Sequence, residues 1–79
     1  MQQPMRERGV VKWFDDCKGY GFITSDVGSK EVFFFRSDLE TIQRSVEKGE
    51  RVEFELGNGI KGVEAKHVIS IQDQLEKEL

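Results

Sequence analysis

Seven of the eight aromatic side chains, Trp13, Phe14, Tyr20, Phe22, Phe33, Phe34 and Phe35, fall between residues 13 and 35, and only Phe54 lies elsewhere. A hydrophobic core usually draws its rings from the whole chain, so this crowding points to a surface. Cations stand around the rings: Lys12 and Lys18 nearby, Arg36 directly after the last ring, and Lys61 from a glycine-rich stretch further on. Flat π-faces rimmed by positive charge suit unpaired nucleic-acid bases, which stack for about 1–3 kcal/mol each while lysines hold the phosphate backbone. An exposed aromatic patch is costly in water unless something covers it. The plain alternative is that the same rings form an aromatic core or a dimer contact.

Other chemistries find little support. Cys17 is the only cysteine, which excludes an internal disulfide and a multi-cysteine zinc site. It lies in a turn beside Asp15, Asp16 and Lys18 and reads as a solvent-exposed thiol without a role. His67 is the only histidine and has no cysteine at metal-ligand spacing, so it reads as a strand-face residue. Asp15 and Asp16 are adjacent and diverge in direction, which does not suit a general acid and base. A chain of 79 residues buries only about 60% of the surface that it exposes when unfolded, which leaves little room for a substrate cavity. No enzyme, metal site, cofactor or small-molecule substrate is expected.

The elements that position the rings read as short strands. Gly9 to Phe14 is β-rich and closes on the turn-forming Asp15-Asp16-Cys17-Lys18-Gly19. Tyr20, Phe22 and Thr24 then alternate with Gly21, Ile23 and Ser25, and a third strand runs from Glu31 to Phe35. If Ile23, Val32 and Phe34 fill a core, period two turns Tyr20, Phe22, Phe33 and Phe35 outward together. Ser37 followed by Glu40 fits a capping box, which predicts a short helical turn running toward Ser45. Glu50 to Leu56 alternates with Val52, Phe54 and Leu56 inward, and Gly57 to Gly62 reads as a glycine-rich turn. A fifth strand spans Val63 to Ile71, where Val63 and Ala65 share a parity that Val68 breaks, predicting a bulge near Lys66-His67. Residues 1–7 read as a flexible arm, 8–71 as one domain, and 72–79 as a polar tail. Five short strands of this kind suggest an all-β antiparallel barrel, whose closure removes exposed edges.

Charge at first opposes a nucleic-acid partner, since the net value is -3. The excess is uneven: residues 1–36 carry net +1 and residues 37–79 net -4. The acidic half reads as a solvated face that confines any nucleic acid to the aromatic side. No stretch reaches the roughly 20 apolar residues that a membrane-spanning helix needs, and the first residues lack the apolar core of a signal peptide, so a cytoplasmic protein is expected.

Three ordered motifs carry a resemblance. Lys18-Gly19-Tyr20-Gly21-Phe22-Ile23 looks like a first ribonucleoprotein motif and Val32-Phe33-Phe34-Phe35 like a second, in the reverse of their order in an RNA recognition motif. With Val11-Lys12-Trp13-Phe14 upstream and Lys61-Gly62 followed by Ala65 and Val68 downstream, the chain resembles the bacterial cold shock domain over about residues 8–71. The resemblance implies a five-stranded oligonucleotide-binding barrel that binds single-stranded RNA and DNA as an RNA chaperone or a regulator of transcription and translation. It places Lys12, Trp13, Phe14, Asp15, Lys18, Tyr20, Phe22, Phe33 and Lys61 at positions that contact bases or backbone. Alternation alone sets Trp13 on the core side with Val11, so strand twist or a bulge is expected to expose it.

Departures accompany the resemblance. Phe35 and Arg36 stand where the family usually has a stacking histidine and a stacking phenylalanine, so both join the expected site with an altered base preference. A further loop aromatic is absent, with Gln43 near its place; Val63 replaces a proline and Asp15 an asparagine. Three or four phosphate contacts predict a slope of log affinity against log salt of about -2 to -3. The competing expectation is a diverged domain whose aromatic face meets a protein, or a strand-exchanged homodimer hinged at residues 37–50, in place of the monomer that binds single strands.

Overall fold

The computed structural model describes residues 6–41 and 44–71. Its strands are β1 (Arg6–Asp15), β2 (Tyr20–Ser25), β3 (Glu31–Phe35), β4 (Arg51–Gly59) and β5 (Gly62–Ser70), and they close a barrel in the order β1-β2-β3-β5-β4. Four of the seams are antiparallel, and the fifth, between β3 and β5, is parallel through the pair Phe33 and Glu64. The tail at 72–79 and Gln43 lie outside the described residues. Arg6 and Glu7, read from sequence as the end of an arm, belong to β1, because their backbone pairs with Glu55 and Phe54 of β4.

Alternation fills the barrel as period two requires. Val11, Ile23, Val32, Phe34, Val52, Phe54, Ala65 and Val68 point inward, and Leu39 and Val46 from the connection between β3 and β4 complete the core. Phe54, the aromatic outside the cluster, is wholly buried.

The inward assignment of Leu56 does not hold, and Val63 departs from the parity it shares with Ala65. Leu56 is exposed, because it lies beyond Glu55, the last β4 residue that pairs with β1, where the hairpin runs past the barrel wall. Val63 is exposed at the start of β5, and its neighbour Glu64 is buried in the opposite parity. The expected bulge is present: Glu53 faces Ile69 while Glu55 faces Lys66, and His67 takes a φ of 50°. That extra residue lets Ala65 and Val68 both reach the core.

The helical turn is shorter and earlier than the Ser37–Glu40 pattern predicts. A single 3-10 turn spans Arg36–Asp38, and its acid is Asp38, whose Oδ2 accepts the Phe35 amide at 2.9 Å. Leu39 is already extended, as its place in the core against Val68 demands, so no helix continues. The loop instead closes on Thr41, whose hydroxyl accepts the Ser45 amide and donates to the Ser45 carbonyl, each at 3.2 Å.

Glu40 turns to His67, and their side chains pair across the bulge. Hydrogen bonding and charge from Glu40 raise the His67 pKa above its ordinary 6.5, with Glu55 adding to the effect and Arg6 opposing it. The stabilisation from this pair is complete below pH 6.5 and is lost as pH rises through the raised value. The expected outcome is a thermal midpoint that falls between about pH 6 and pH 8. His67→Asn, which also tolerates the positive φ, flattens that dependence when melting is followed by circular dichroism.

Candidate nucleic-acid interface

The register between β2 and β3 sets Tyr20 opposite Phe35 and Phe22 opposite Phe33, all on the outer face. Phe33 is the hub of the rings. It stacks on Tyr20 with centroids 5.5 Å apart, meets Phe22 edge-on at 5.4 Å, and meets Phe35 edge-on at 4.8 Å. Such offset and edge geometries add attraction beyond area burial and fix each ring's orientation.

Trp13 joins through a bulge in β1. Val11 pairs with Ile23 and Trp13 with Phe22, so Lys12 is an inserted residue that reverses the parity of the strand. The indole is 36% exposed and lies 5.4 Å from both Tyr20 and Phe22. The exposure that alternation denies to Trp13 therefore comes from the expected bulge. Gly21 makes room for it: a Cβ there lies 2.3 Å from the Trp13 carbonyl oxygen and 2.9 Å from Phe14 Cα, too close for any side chain.

The outer rings line an open groove of about 600 Å³ formed by Tyr20, Phe22, Phe33 and Phe35, with Glu31, Lys61 and Val63 at its margins. Lys61 holds its ammonium 5.9 Å from the Phe33 centroid, a cation–π placement that leaves it facing the groove. Lys12 is paired with Glu31. Lys18 makes no side-chain ion pair among the described residues.

Phe14, Asp15 and Arg36 sit apart from the five-ring cluster. Phe14 is half-buried and stacks on the core ring of Phe34 at 5.5 Å. The Arg36 guanidinium lies 5.7 Å from the Phe14 centroid and bonds through Nη2 to the Asp16 carbonyl and, at 2.9 Å, to Asp16 Oδ1. Asp15 Oδ1 accepts the amides of Cys17 and Lys18 at 3.0 and 2.9 Å, so this acid shapes the turn. Glu31 and Val63 also line the groove; the sequence marks Val63 only as a departure from a proline and does not place either residue in the site. Glu31 opens the aromatic strand and shares the parity of Phe33 and Phe35 on its outer side, which is the signal that identifies it. No group of three or more metal-ligating side chains occurs among the described residues.

Gly21→Ala is expected to destabilise the fold at or above the upper end of the about 1–3 kcal/mol that overpacking costs, because the clash is with backbone. A urea melt measures the loss, and a changed Trp13 emission reports that the bulge has moved.

The comparisons with known proteins agree with this geometry. Residues 7–71 match the "Cold-shock" DNA-binding domain family. Cold shock-like protein CspE of Escherichia coli K12 is 48% identical over 65 residues, covering 81% of this chain and 94% of that protein. Major cold shock protein CspA of Pseudomonas aeruginosa is 44% identical over 63 residues, covering 80% and 91%. Among solved structures, drosophila Unr CSD456 superposes with a TM-score of 0.72 at 19% identity, over 86% of this chain and 27% of that one, a likeness of fold.

Proposed function

Because the chain belongs to the cold-shock DNA-binding domain family, we propose that it is a single-stranded nucleic-acid binding module which holds unpaired RNA or DNA bases on Trp13, Tyr20, Phe22, Phe33 and Phe35. It acts as an RNA chaperone or a regulator of transcription and translation, as a cytoplasmic monomer and without catalysis. The observation that carries this reading is the five-ring cluster centred on Phe33, kept on the outer face by strand alternation and the Lys12 bulge. Bases have π-faces whatever their identity, so such a face binds with little sequence preference.

The cations divide into two kinds under this reading. Lys18 and Lys61 meet phosphates directly, since neither makes a side-chain ion pair among the described residues, whereas Lys12 must leave Glu31 and Arg36 must leave Asp16. Exposed pairs of this type are weak, at about 0–1 kcal/mol, so strand binding can displace them. Phe14 contributes as the support under Arg36, and Asp15 by holding the turn that presents Lys18.

The two cations without an ion pair among the described residues give a salt slope of about -1.4 for a single strand, which steepens to about -2.8 where the strand displaces both ion pairs. Fluorescence titration of Trp13 with oligothymidine at several salt concentrations measures it, with quenching by single strands and little by duplex. Phe33→Ala is expected to weaken binding about tenfold to a hundredfold while the protein stays folded, because each stacked base contributes about 1–3 kcal/mol. Phe34→Ala, one residue away and fully buried, is expected to cost about 3–5 kcal/mol of stability. Quenching equal for duplex and single strands, or a Phe33→Ala protein that binds as the parent does, overturns the reading.

A further inference from the structure

The hairpin of β4 and β5 carries a carboxylate for which nucleic-acid contact has no use. Glu64 is 1% exposed, yet every oxygen is occupied: Oε2 accepts the Lys61 amide at 3.0 Å and Oε1 accepts Lys66 Nζ at 2.9 Å. The space it fills is left by Gly59, where a Cβ falls 2.2 Å from Glu64 Cδ. Lys66 Nζ also reaches Asp38 Oδ1 at 3.3 Å, and the other oxygen of Asp38 accepts the Phe35 amide at 2.9 Å. A continuous polar chain thus runs from the amide of Lys61 to the amide of Phe35.

Both residues line the groove and lie against Phe33, with the Lys61 ammonium 5.9 Å and the Phe35 ring centroid 4.8 Å from the Phe33 centroid. The polar chain also crosses the parallel seam, where β3 and β5 share the register pair Phe33 and Glu64. Backbone pairing alone holds that seam weakly, and the side chains of Glu64, Lys66 and Asp38 bind the two sides together. Amide and ammonium donors hold the Glu64 carboxyl below its usual range, the Lys61 amide first and Lys66 next, so the buried group stays charged. A buried carboxylate deprived of its cation is strongly unfavourable, and the shortest escape is for the Lys61 loop to lift off.

We propose that Lys66 is a positioning residue for strand binding, fixing Glu64 beneath Gly59 so that the Lys61 ammonium is held over Phe33. This rests on the single-strand reading given above. The Lys66 ammonium touches no base or phosphate in this scheme; it acts through Lys61, and its influence disappears when Lys61 has no charge to place.

Lys66→Met tests this, since it keeps the hydrocarbon stem that packs over Gly57 and removes the charge. Affinity for fluorescent oligothymidine is measured at several salt concentrations with Lys61 intact and in Lys61→Ala, and exchange of the Lys61 amide is followed by NMR without oligonucleotide. With Lys61 intact, Lys66→Met is expected to weaken binding about fivefold and to flatten the salt slope by about 0.7, the share of one phosphate contact. In Lys61→Ala it has no further effect, Lys66→Arg restores binding, and the Lys61 amide exchanges about tenfold faster in Lys66→Met than in the parent. Equal losses in both backgrounds, or an unchanged Lys61 exchange rate, overturn the proposal. If Lys66→Met does not fold, Glu64→Gln/Lys66→Met leaves no unpaired buried charge and faces the same measurements and the same two outcomes. A parent protein that does not bind oligothymidine overturns the single-strand reading and this proposal with it, a result distinct from a parent that binds and is indifferent to Lys66.

Discussion

A barrel wall one strand thick gives each residue one of two destinations, and everything else here follows from how β2 and β3 divide between them. Ile23, Val32 and Phe34 take the inside, so Tyr20, Phe22, Phe33 and Phe35 have no place but the outside. The cost of leaving rings in water is lowered by packing them on one another, Phe33 touching Tyr20, Phe22 and Phe35. The core is thereby the condition for the face: a slip of one residue between these strands would exchange the two sets of side chains and destroy both.

Much of this was legible in the chain because period two is a local rule. Alternation in residues 20–35 assigns the core and the outer rings correctly, and the broken parity of Ala65 and Val68 locates the second bulge at His67. The rule stops working where the barrel ends. Leu56 alternates correctly, but it lies beyond the last pair with β1 and is left exposed. Glu64 is the reverse case, an acid at a buried position made tolerable by Gly59 before it and Lys66 on the same side of the strand. Glycine, acid and lysine at those spacings were visible in sequence, but their meeting with Asp38 depends on closure of a seam between distant segments. The capping pattern at Ser37 misled for a similar reason, since the demand of the core for Leu39 overrode a local helical preference.

Charge tells a second story. The first half of the chain has cations enough for a phosphate path, yet Lys12 and Arg36 are each answered by an acid, Glu31 and Asp16, at the border of the rings. These pairs answer the charge of Lys12 and Arg36 locally and leave Lys18 and Lys61 without a side-chain ion pair among the described residues. Membership of the cold-shock domain family accounts for the rings and the fold.

The parallel seam has a dynamic meaning. Every other junction of the barrel is a ladder of several register pairs, whereas β3 meets β5 at Phe33 and Glu64. Parting these two strands alone would leave β3-β2-β1-β4-β5 as a continuous sheet, and what opposes it beyond the single register pair is the Leu39–Val68 bridge and the Lys66 contacts to Glu64 and Asp38. Phe33 and Phe35 travel with one lip of that opening and Lys61 with the other. Parting of this seam would therefore widen the groove, because the two sides of the junction are also its two walls.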